Sequence, residues 1–325
     1  MMAELLGAFG KALSSFLELK QVSIDNWCFK LFYKITTSVL ILSSVLVTAR
    51  QFFGEPIQCD AGSRSEGIEG DVLNSYCWMY STWNIPDKYK GACSAGSEYG
   101  GISHQEWNDS RTSIVYNSYY QWVPLYLVVL AFLFYLPRMF WLIMEGGLME
   151  FFGKGTTTRF IEDQEEKRDT LVSFFSKNIH NKYNIYFWGF ISMESLNWVI
   201  VLIQFGLTNV FLHYRFSGYG MDVMNYYRLP EEEQRERKNP MCTTFPRIGK
   251  TYLHFDDRIF EMLYLAASCD YWRWGSGGQQ ENINAICVLS LNMVNDKVFL
   301  ILWWWFLFLA IVGALRIVYR IVQAL

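Results

Sequence analysis

The chain has 325 residues, of which 52% are apolar, 18% aromatic and 18% charged, with a net charge of −3 at pH 7. Charge this sparse, against about 25% in ordinary soluble domains, argues against a soluble protein, and the slightly positive mean hydropathy implies apolar stretches alternating with long polar ones. No basic run is present to track a phosphate backbone, which sets nucleic acid aside as a partner.

Residues 1–30 open with MMAELLGAFGKALSSFLELK. This start has no basic n-region, no long apolar core and no small-residue cleavage site, so it does not read as a secretory signal. Leu5, Phe9, Leu13, Phe16 and Leu17 instead fall near one face of an amphipathic helix, and the first span itself is expected to direct insertion.

A membrane-crossing helix needs roughly 20 mostly apolar residues, and four stretches qualify. The first, 31–53, contains ITTSVLILSSVLVTARQFF, flanked by Lys34 and interrupted by Arg50, two side chains long enough to snorkel. Its Thr36, Thr37, Ser38, Ser43, Ser44 and Thr48 suit a wettable pore wall or the close approach of helices; both readings stand. The second span, 122–144, carries Pro124 and Pro137. Each proline is expected to free a backbone acceptor and kink the helix, as a gating hinge or as a fixed bend. The third, 185–212, holds Glu194 with Asn197 one turn on. An intramembrane carboxylate is a functional candidate, and a structural hydrogen bond between helices is the favoured reading. The fourth, 298–320, includes LILWWWFLFLAIVGAL and leads to a short tail at 321–325. Its Trp303, Trp304 and Trp305 read as lipid contact and helix packing near an interface.

Between the spans lie segments of distinct chemistry. Residues 54–121 are rich in Gly, Ser, Asn and aromatics and hold the one glycosylation sequon, Asn108-Asp109-Ser110. Residues 145–184 are charged, with Phe160, Leu171, Phe174, Phe175 and Ile179 at helix-like spacing. Residues 213–297 contain LPEEEQRERKNP, read as a solvated helix, and TYLHFDDRIFEMLYLAAS at 251–268, also read as helical.

Cysteines set the orientation. Cys59, Cys77 and Cys93 lie between the first two spans and Cys242, Cys269 and Cys287 between the last two, while the middle segment has none and Cys28 precedes the first span. Disulfides persist outside the cytosol, so both cysteine-bearing loops face out and both termini face in. Arg138, Arg316 and Arg320 at span ends agree with cytoplasmic placement of those ends. The histidines at 104, 180, 213 and 254 are scattered and form no metal spacing. No catalytic constellation is found, so neither an enzyme nor a cofactor is expected.

Six segments in order carry a resemblance. They are SIDNWCFKLFYKITT (23–37), LVTARQFFGEPIQC (46–59), YCWMYSTWNIP (76–86), the hexapeptide YYQWVP (119–124), NPMCTTFPRI (239–248) and CVLSLNMVNDKVFLILWWWF (287–306). Together they resemble the innexin family of invertebrate gap-junction proteins over almost the whole chain. The resemblance implies an all-α membrane protein, a four-transmembrane-helix subunit with two disulfide-stapled extracellular loops forming a small β/α cap. It also implies a helical cytoplasmic loop and an N-terminal helix, bearing Leu5 and Phe9, folded into the pore mouth. Like or unlike subunits would form an octameric ring in the plasma membrane, docking to an apposed ring as a gap junction or acting alone as a hemichannel. The family pairing carried over is Cys59 with Cys287 and Cys77 with Cys269, each bridge worth roughly 2–4 kcal/mol.

Two departures from the family pattern stand out. Cys93 and Cys242 are additional, and a third bridge between them is expected. About twenty residues separate Phe245-Pro246 from Cys269, an insertion within the docking loop. The insertion and a glycan on Asn108 would both hinder docking, which keeps an undocked, pannexin-like hemichannel as an alternative. A claudin-like adhesion or scaffold protein is another, although claudin-type proteins have much shorter second loops and no YYQWVP segment.

Overall fold

The computed structural model describes residues 25–61, 68–84, 115–147, 184–245, 249–255, 258–264, 267–275 and 277–324, with Asp169, Val172, Ser173 and Ser176. Leu5, Phe9, Cys93 and Asn108 lie outside the described residues.

Among the described residues four helices are long and apolar enough to cross a membrane: Trp27–Phe53, Val123–Glu145, Asn184–Phe211 and Asn292–Gln323. At about 1.5 Å per residue even the second exceeds a hydrocarbon core of roughly 30 Å. The first begins at Trp27 because Asn26 caps it: its side-chain oxygen accepts the Phe29 N–H at 2.7 Å. Residues Leu31–Ile35 then take one π turn, closed where the Thr36 N–H reaches the carbonyl of Leu31. The fourth helix begins at Asn292, ahead of its apolar run, because Asn292, Asn295 and Asp296 are buried within the protein. Only 28–39% of the most apolar window of each span is buried within the protomer, so lipid or other protein must cover the rest.

The chain divides into two compact units. One gathers Met1–Leu40, Val129–Ile203 and Phe308–Leu325; the other gathers Ile41–Val128 and Gln204–Leu307. In the first unit Trp141 sits edge-on to Tyr186 and Phe190, each with ring centroids 5.0 Å away. Gly313 lets the third and fourth spans approach: a Cβ there would lie 2.5 Å from Trp198 Cδ1. The Trp198 indole donates to the Ala310 carbonyl at 3.0 Å across the same contact.

The second unit contains a five-stranded antiparallel sheet ordered β1-β7-β6-β2-β3. Residues Gln58–Asp60 (β1), Thr82–Asn84 (β2) and Val115–Asn117 (β3) come from the loop between the first two spans. The other two strands, Ala267–Trp274 (β6) and Gln280–Val288 (β7), come from the loop between the last two. The two loops thus fold as one body. Phe216, Tyr219, Phe245 and Phe299 form an aromatic core in this unit, Phe245 and Phe299 stacking at 5.4 Å.

The segment read as a helical insertion is extended. Gly249–Phe255 (β4) and Arg258–Tyr264 (β5) pair antiparallel with only residues 256 and 257 between them, and β6 follows at Ala267. The helix-like spacing misled because Thr251, Tyr252, Phe255, Ile259, Phe260 and Tyr264 are β-branched or aromatic, types that suit a pleated surface. Pairing between neighbouring strands overrides the 3.6-residue pattern.

Candidate functional site

Two arrangements concentrate the polar and cross-linking chemistry of the described residues. The first is the cystine cap. Cys59 and Cys287 face each other across β1 and β7 and are bonded, with their Cα atoms 4.0 Å apart. Cys77, in the helix Gly70–Met79, is bonded to Cys269 of β6 with a Cα separation of 5.8 Å. The sulfurs of Cys59, Cys77 and Cys287 lie within 4.8 Å of one another. All three belong to disulfides and offer no thiolate, so two bridges packed side by side, and not a metal centre, account for the cluster. Cys242 is also disulfide-bonded, while Cys93, its expected partner, lies outside the described residues. Cys28 is a free, half-buried thiol.

The YYQWVP segment joins this cap to the second span. Tyr119 is buried, and its hydroxyl reaches the Thr244 carbonyl and the Asn292 side chain, both at 3.4 Å. Tyr120 is fully buried against Trp78 at 4.9 Å, and burial pushes its phenol up to about 12. Gln121 donates to the Trp78 carbonyl. Three consecutive side chains therefore fasten the first loop, the last loop and the start of the fourth span to one point. Trp122, by contrast, is exposed.

The second arrangement is a polar junction in the first unit. Asp25 pairs with Arg138 of the second span, both buried, and the Tyr33 hydroxyl donates to the same carboxylate at 2.8 Å. The Arg138 guanidinium lies 5.2 Å from the centre of the Tyr33 ring. One residue on, Asn26 donates to Glu194 of the third span. Glu194 also accepts from Arg316 Nε at 3.2 Å and from Arg320 Nε at 2.7 Å, both on the fourth span. The start of the first span is thereby tied to the other three. Of these residues the sequence singled out Glu194 as a candidate. Asp25 and Asn26 were missed, although an Asp-Asn pair just ahead of an apolar helix is a capping signal. The sequence marks Arg138, Arg316 and Arg320 as orientation signals, not as partners of carboxylates.

The hydroxyl-bearing residues of the first span divide. Thr36 is buried and bonded to the Leu31 carbonyl at 3.0 Å, Thr37 is buried, and buried Ser44 donates to the Pro124 carbonyl at 3.0 Å. Hydrogen bonds within the protomer account for Thr36 and Ser44, while the Thr37 hydroxyl has no partner among the described residues. Ser38, Ser43 and Thr48 stay half-exposed, the Ser38 hydroxyl donating to the Lys34 carbonyl at 2.8 Å. Pro124 does not kink its helix. It is the second residue of Val123–Glu145, where its missing N–H has no place in the ladder. Pro137 is the proline inside the helix. Asn197, one turn from Glu194, is buried with neither amide atom partnered among the described residues.

The family model described as Innexin matches residues 25–325. Innexin inx2 of Drosophila melanogaster is 34% identical over 313 residues, covering 95% of this chain and 77% of that protein. Innexin inx2 of Schistocerca americana is 33% identical over 317 residues, covering 97% and 80%. Innexin shaking-B of Drosophila melanogaster is 30% identical over 314 residues, covering 96% and 77%.

Proposed function

The chain belongs to the innexin family, and on that premise we propose that it is a large-pore channel subunit passing ions and small metabolites between cells or across the plasma membrane. One observation carries this reading: a single sheet takes three strands from the first loop and two from the last and is locked by two disulfides. A pore mouth or docking face needs loops that keep their shape without help from a partner, and cross-linking both loops into one body supplies that.

In this reading the subunits form a ring, octameric as in the family architecture, with both termini in the cytosol. The apolar span surface left uncovered within the protomer is shared between neighbouring subunits and lipid. Leu5 and Phe9 lie at the pore mouth, and Ser43 and Thr48 are half-exposed hydroxyls of the first span that face water there. Asp25 and Asn26 anchor the first span where the N-terminal segment enters it.

A second reading is an undocked hemichannel. The separate hairpin at Gly249–Tyr264 and the Asn108 sequon favour it, since both add bulk to loops that would have to meet an apposed ring.

Paired-cell electrophysiology beside single-cell dye uptake, with this chain expressed alone, tests both. Junctional current establishes docking. Membrane current and dye uptake without junctional current establish the hemichannel. Surface-localised protein silent in both assays overturns the homomeric channel reading.

A further inference from the structure

Between the third and fourth spans lies a cleft of about 300 Å³ lined by Trp188, Ile191, Glu194, Ser195, Arg316, Ile317, Arg320 and Ile321. We propose that it binds an anionic membrane phospholipid, with an acyl chain along Trp188, Ile191, Ile317 and Ile321 and the phosphate on Arg316. The proposal rests on the chain spanning a membrane and not on its being a channel.

Charge decides the occupant. Arg316 and Arg320 share one carboxylate, that of Glu194, so among the described residues this cluster carries one more positive charge than negative in a mostly apolar wall. Charge withdrawn from water needs a counter-charge. Arg320 is the more engaged of the two: it lies nearer Glu194, its Nη1 donates to Gln323 at 3.0 Å, and its guanidinium sits 5.5 Å from the centre of the Phe190 ring. Arg316 meets Glu194 through Nε, its guanidinium lies 5.2 Å from the centre of the Tyr319 ring, and its side chain stays 25% exposed. A guanidinium held at Nε and still partly exposed presents its Nη groups in the fork geometry that phosphate oxygens accept. A zwitterionic headgroup would carry its own cation to the same place and gain less. Trp188 is exposed and lines this cleft, as suits an aromatic at the level of lipid headgroups.

The test uses the full chain, purified and reconstituted in phosphatidylcholine vesicles doped with spin-labelled phosphatidylserine or spin-labelled phosphatidylcholine. The motionally restricted fraction of each label is then compared. Phosphatidylserine should be retained about fivefold more than phosphatidylcholine, the effect of one basic side chain near an anionic headgroup. Arg316→Gln should bring the two labels to near parity. Ile321→Trp, which fills the cleft and keeps every charge, should also lower retained phosphatidylserine, and it decides the matter if Arg316→Gln fails to assemble. Equal retention of both lipids by the unmodified chain overturns the proposal. So does a preference that survives both substitutions, which would put the anionic lipid elsewhere.

Discussion

Asp25 and Arg138 form an ion pair whose side chains are 1% and 10% exposed, joining the residue two positions before the first span to the interior of the second. With the Tyr33 hydroxyl on the other carboxylate oxygen at 2.8 Å, the charge on Asp25 is held from both sides. Such a pair adds little over a well-packed apolar one, but removing one member strands the other. Arg138→Met should therefore destabilise the protein by about 3–5 kcal/mol, and Asp25→Asn with Arg138→Met should recover most of that loss. Thermal melting of the detergent-solubilised protein, read by fluorescence-detected size exclusion, measures both. Additive losses in the double variant would show that the two residues are not coupled.

Glu194 holds Arg316, Arg320 and Asn26 at once, so its loss should cost more than the loss of either arginine. Glu194→Gln keeps the shape and leaves two guanidinium groups without a carboxylate. Arg320→Gln leaves Glu194 with Arg316. Surface expression and melting temperature should fall furthest in Glu194→Gln, intermediate in Arg320→Gln. If Glu194→Gln left trafficking, conductance and voltage response unchanged, the carboxylate would have no electrostatic role.

What could be read from the sequence follows the range of the interactions involved. The four spans are local properties of composition, and they stand out without any contact information. The helix ends moved because of capping and burial: Asn26 extends the first helix toward its start, and buried Asn292, Asn295 and Asp296 place the start of the fourth inside protein instead of lipid. The strand pair at Gly249–Phe255 and Arg258–Tyr264 is not legible in the sequence, because apolar spacing alone cannot separate a short strand pair from a helix turn. The polar junction was hidden for a different reason. Asn26 and Glu194 are 168 residues apart, and no local pattern relates them.

Gly220 shows how closely the fourth span meets the last loop. A Cβ on this residue would lie 2.1 Å from Trp303 Cε3, and the indole cannot swing away freely because its N–H donates to the Ser217 carbonyl at 3.1 Å. Gly220→Ala should cost about 1–3 kcal/mol through overpacking. Trp303→Phe, which shortens the ring and gives up that hydrogen bond, should recover part of the loss when combined with it. Melting temperatures of the two single variants and the double variant decide the point. A Gly220→Ala protein as stable as the parent would show that the loop backbone yields at this contact.

Asn197 is 1% exposed in the third span, and neither its Oδ1 nor its Nδ2 has a partner among the described residues. An amide buried without hydrogen bonds costs about 1–3 kcal/mol relative to an apolar group of similar volume. A membrane interior offers no water to relieve it. Asn197→Leu is close in volume and removes the unmet donor and acceptor, so it should raise the melting temperature of the solubilised protein while surface expression is maintained. Asn197→Ala separates the polar term from the packing term, because it removes the amide but opens a cavity; it should be less stable than Asn197→Leu. A fall in stability for Asn197→Leu would mean that the amide is satisfied in the assembled ring. The same measurement on assembled and dissociated protein would then locate the partner: a loss confined to the assembled form assigns it to a neighbouring subunit.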